Sequence, residues 1–88
     1  MKKDEHNSDE MSVSPHIGKL VKAKLDEQGR KISWLAKQIN CTRENMYKLF
    51  RRNSVNTELL FKLSKALDHD FFKDCSEYYQ KRKSAHGV

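Results

Sequence analysis

The sequence predicts an all-α domain of five short helices. Three observations carry that expectation. Glycine and proline are scarce, at 3 and 1 in 88 residues, and good helix formers fill the chain. Apolar residues recur three and four positions apart, as one face of a helix requires. Polar residues able to cap a helix (Ser14, Ser33, Thr42, Asn56 and Asp70) stand just before each apolar run.

Residues 1–13 are polar, mixed in charge and without period, and read as a disordered arm. The helical domain follows over residues 14–79. In the first helix, about Pro15 to Gln28, Ser14 is the expected N-cap and Pro15 sits where its missing N–H costs nothing. Ile17, Leu20, Val21 and Leu25 form its stripe, and Gly29 past its end is suited to the left-handed conformation. Ser33 is the expected cap of the second helix, whose inner face is Leu35, Ala36 and Ile39. Asn40 tolerates positive φ and suits the turn that follows. Thr42 caps the third helix, with Met46, Leu49 and Phe50 inward. Asn56 caps the fourth, with Glu58 in its first turn and Leu59, Leu60, Leu63 and Leu67 as its stripe. Asp70 caps the fifth, which carries Phe71, Phe72, Cys75, Tyr78 and Tyr79. Residues 80–88, with Lys81, Arg82 and Lys83, read as a frayed basic tail.

A chain of 88 residues with 36% hydrophobic content supports one small core. A core of that size leaves little room for the cleft an enzyme needs. No catalytic constellation stands out, and the four histidines are scattered. Neither Cys-x-x-Cys nor His-Glu-x-x-His occurs, so no metal or other cofactor is expected. The two cysteines, Cys41 and Cys75, are too few for a disulfide framework and read as reduced small hydrophobes. No secretory h-region and no membrane-length apolar run is present, which points to a cytoplasmic protein with no membrane partner.

The net charge is +6, and it is concentrated. Between Arg30 and Arg52 seven cations (Arg30, Lys31, Lys37, Arg43, Lys48, Arg51, Arg52) face a single anion, Glu44. An excess of that kind suits a polyanionic partner. Five of the seven lie between Ser33 and Arg52, over the second and third helices. Where two helices cross after a short turn, the contact point calls for a small side chain, and Ala36 supplies it. Ile39, Met46 and Leu49 give the apolar contacts around the turn at Asn40.

The run "SWLAKQINCTRENMYKLF", extended by "NTELLFKLSKALDHDFF", resembles the lambda-repressor-like (Cro/cI, xenobiotic-response-element) helix-turn-helix family. The resemblance covers about His16 to Phe72. The pattern "WLAKQI…R.N.YK.F.R" followed by "TELL..LS.AL.HDFF" is further similar to small regulators of Bacteroides-type bacteria. It implies a five-helix domain that places its third helix, about residues 42–52, in the major groove of double-stranded DNA. By that resemblance Thr42, Arg43 and Glu44 lie nearest the base edges, with Asn45 turned partly sideways. Tyr47 and Lys48 lie one turn on. Arg51, Arg52 and Asn53 fall where family members touch phosphate. Lys31 and Ser33 stand at the start of helix two, where a phosphate is usually held. Two positions depart from the family. Ile32 replaces a phosphate-binding glutamine, and Asn40 replaces a glycine.

Each of these residues also has a plainer role. Arg43 alone is a solvated arginine. Glu44 either favours the helix N-terminus by its charge, or accepts from cytosine N4 or repels wrong sequences. Tyr47 either packs on its neighbours or meets sugar and a thymine methyl, and Trp34 reads as a packing residue. The aromatic set Phe71, Phe72, Tyr78 and Tyr79 exceeds what one narrow helix face needs, so part of it is available to a homodimer. The expected function is sequence-specific DNA binding by a small transcriptional regulator. The rival from another class is a protein-interaction module, such as an antitoxin-like or phage accessory protein.

Overall fold

The computed structural model describes residues 14–85, with side chains placed through residue 83. The expected arm, 1–13, and the last three residues lie outside the described residues. Among the described residues there are five α-helices and no strand. They are α1 (Ile17–Glu27), α2 (Ile32–Gln38), α3 (Arg43–Phe50), α4 (Thr57–Leu67) and α5 (Phe71–Ala85).

Three helices end alike, and the reason is local. Gly29, Asn40 and Asp68 have φ of +69°, +56° and +50°. Each sits just past a helix in the left-handed conformation. The N–H of the next residue then reaches back five residues: Arg30 to Leu25 O at 3.1 Å, Cys41 to Ala36 O at 2.8 Å, His69 to Ser64 O at 3.0 Å. These bonds satisfy carbonyls that a helix end otherwise leaves open.

The starts follow the sequence in three cases out of five. Thr42 Oγ1 accepts from Asn45 N–H at 3.1 Å, and Asn56 Oδ1 accepts from Leu59 N–H at 2.8 Å. Asp70 Oδ1 accepts from the N–H groups of Phe72 and Lys73 at 3.0 and 3.1 Å. The other two starts differ from expectation. The N-cap of α1 is His16, whose Nδ1 accepts from Lys19 N–H at 3.1 Å. The N-cap of α2 is Lys31, without a side-chain cap, and Ser33 lies inside the first turn. Ile32 explains the earlier start, because as the first residue of α2 it packs against the core.

The core takes residues from every helix. Val21, Leu25, Leu35, Met46, Leu63 and Phe71 are wholly buried, and Ile17, Ala36, Ile39, Leu49, Leu60 and Leu67 nearly so. Helix α3 packs between α1 and α2, while α4 touches α1, α2 and α5. Phe50 and Leu59, expected inward, are only half-buried.

One contact fixes α1 against α3. Gly18 lies so close to the end of α3 that a Cβ there would stand 2.3 Å from Phe50 O and 2.6 Å from Leu49 O. The first free N–H groups of α1 use that proximity. Ile17 N–H donates to Asn53 O and Gly18 N–H to Arg52 O, both at 2.9 Å.

The helix α5 runs on through Lys81, Arg82 and Lys83 to Ala85, so the tail expected to fray from Gln80 is helical to that point. The residues added are good helix formers, with no glycine before Gly87. Phe71, offered above as a dimer contact, is fully buried and closes the core instead.

Candidate nucleic-acid interface

Helix α3 is short because Asn40 and Thr42 begin it and Asn53 and Ser54 follow it. Met46 and Leu49 anchor its inner side at 0% and 5% exposure. A helical period then fixes the rest. Glu44, Lys48 and Arg51 stand opposite the buried pair. Arg43 and Tyr47 lie toward the edge shared with Phe50, and Tyr47 meets Phe50 edge-on at 6.4 Å. Asn45 lies toward the other edge, where with Lys48, Arg52, Ile39, Cys41, Leu49 and Leu59 it lines an open groove of about 310 Å³.

Every site residue expected from the sequence is exposed: Lys31 and Ser33 at the start of α2, Thr42, Arg43, Glu44, Asn45, Tyr47 and Lys48 on or capping α3, and Arg51, Arg52 and Asn53 just after it. The structure thus gathers all but Lys31 and Ser33 on one helix and its exit. The cations Arg43, Lys48, Arg51 and Arg52 have no carboxylate partner among the described residues, and Glu44 has no cation partner there. Lys22 and Lys24 of α1, by contrast, are each engaged, with Asp26 at 2.8 Å and Glu27 at 3.0 Å. Thr42 differs in role from its neighbours, since its hydroxyl already accepts a backbone bond.

Cys41 borders this surface at the turn. Its thiol donates to Thr42 O at 3.2 Å, and burial pushes its pKa up, away from the thiolate. Cys75 on α5 is raised by burial and then by the charge of Asp74. Among the described residues no cluster of His, Cys, Asp and Glu is arranged to hold a metal ion. No described helix is long and apolar enough to cross a membrane.

Two features had no mark in the sequence. Phe61, on α4, is 61% exposed and lies 4.5 Å from Phe72, centroid to centroid. Arg30 lies over the indole of Trp34 at 4.0 Å. Neither pairing follows from helical period alone, because each joins residues of different elements. A comparison with protein families, curated proteins and solved structures finds no match to the chain.

Proposed function

We propose that this protein binds double-stranded DNA through α3 and acts as a small transcriptional regulator of the lambda-repressor-like helix-turn-helix kind. The observation that carries the reading is the outer face of α3 and its exit. Four exposed cations stand there without a carboxylate partner, on a helix held against α1 and α2 by a buried inner side. Phosphate neutralises such charges and a major groove admits a helix of this width. In this reading Lys48, Arg51 and Arg52 anchor phosphates, while Arg43 and Glu44 reach base edges.

Titration of a labelled random duplex at two salt concentrations tests it. Affinity falls steeply as salt rises, because bound phosphates release counterions. Absence of binding at low salt overturns the reading.

A second surface favours protein contact as well. Phe61 and Phe72 form an apolar face bordered by Lys65, Asp68 and Asp70, around an open groove of about 400 Å³. Because the rim carries both signs of charge, the face is compatible with a second copy of itself in a two-fold pair. A second copy of the chain is therefore its proposed occupant, with Phe61 taking the place first given to Phe71.

A further inference from the structure

The corner between α1 and α2 holds an arginine in place with its charge unspent. Gly29, at φ +69°, turns the chain, and Arg30 N–H is fixed to Leu25 O at 3.1 Å. The side chain is fixed as well. Its guanidinium lies over the Trp34 ring at 4.0 Å, and its Nε donates to Gln28 Oε1 at 3.1 Å. Gln28 is itself held, because its Nε2 donates to Leu67 O at 2.7 Å. Trp34 is half-buried against the core. The chain of contacts thus runs from the end of α4 to the guanidinium.

The carboxylates nearest in sequence do not neutralise Arg30. Asp26 is engaged by Lys22 at 2.8 Å and Glu27 by Lys24 at 3.0 Å. With Nε occupied, the two Nη groups remain to donate, in the planar fork that matches a phosphate. The next residue is the exposed Lys31, and Ser33 and Lys37 are exposed on the same helix as Trp34.

We propose that Arg30 is a preset phosphodiester contact, its guanidinium held over Trp34 by Gln28 so that its Nη groups meet a backbone phosphate of the bound duplex. The proposal rests on the DNA reading above and adds to it a site on the α1–α2 corner. Holding the side chain before binding removes the rotamer entropy that a free arginine loses on contact.

The test compares wild type, Arg30→Ala and Arg30→Lys on several random duplexes over a range of salt, with a thermal melt of each. Arg30→Ala is expected to weaken binding several-fold on all sequences alike and to reduce the salt slope by about 0.9, the share of one phosphate on duplex DNA. Arg30→Lys keeps the charge but neither the stack nor the fork. It is expected to keep the slope and still bind more weakly than wild type. An unchanged slope in Arg30→Ala, whatever the change in melting temperature, overturns the clamp and leaves Arg30 a staple of the corner. Wild type that binds no duplex overturns the DNA reading and the clamp together.

Discussion

Arg43 and Arg51 open and follow the same helix, and both are exposed without a carboxylate partner. Their positions still set them apart. Arg43 stands at the end of α3 nearest the turn, Arg51 past its last residue. Replacing Arg43 by alanine is expected to relax preference at one base position, by about 1–3 kcal/mol, with the fold intact. Replacing Arg51 is expected to weaken all sequences equally and lower the salt slope by about 1. Competition among duplexes that differ by single bases measures both. Equal, sequence-blind losses from the two changes would remove the distinction between reader and anchor. At this scale much was legible in advance. Gly29, Asn40, Thr42 and Asn56 do their work within four residues of themselves, so type and position suffice to read them. Asp68 was not read, although its φ of +50° does the same work as that of Asn40. Aspartate shares with asparagine an enrichment in that conformation, so its type carried a signal; Asp70, two residues on, drew the reading instead as the cap of the next helix.

The helices show where local signals stop. Ser14 was the expected cap of α1, but the helix starts where Ile17 and Gly18 find Asn53 O and Arg52 O, a contact 34 or more positions away. Gly18 lies inside α1, where glycine is ordinarily unfavourable. On an exposed helix, replacing it by alanine would add about 1 kcal/mol of stability. Here the expected sign is the opposite, because the new Cβ meets backbone oxygen at 2.3 Å and neither carbonyl can move without α3. Gly18→Ala is expected to cost about 2–3 kcal/mol, and to weaken duplex binding beyond what unfolding explains. A thermal melt with a titration on the folded fraction decides it, and a raised melting temperature would sink the argument. The reach of α5 to Ala85 was misjudged for a different reason. A charged stretch without breakers stays helical once its first turns are packed, whatever its solvation.

Across the whole molecule, two outward surfaces differ in character. The α3 face is basic and polar, and the Phe61–Phe72 face is apolar with mixed charge at its rim. Phe61→Ser is expected to abolish a dimer seen by sedimentation equilibrium, with the helical content unchanged. A monomeric wild type at high concentration would remove the second copy from the proposal. The basic face was legible early, because Arg43, Lys48, Arg51 and Arg52 fall within ten residues of the sequence. The apolar face escaped, because it depends on how α4 meets α5. The mounting of α3 has one more consequence. Arg52 and Asn53 are tied to α1 through their carbonyl oxygens, which every amino acid possesses, while their side chains point to solvent. Mutation can therefore rewrite those side chains without loosening the joint. Such a scaffold is well placed to acquire new targets over evolutionary time while its architecture is inherited unchanged.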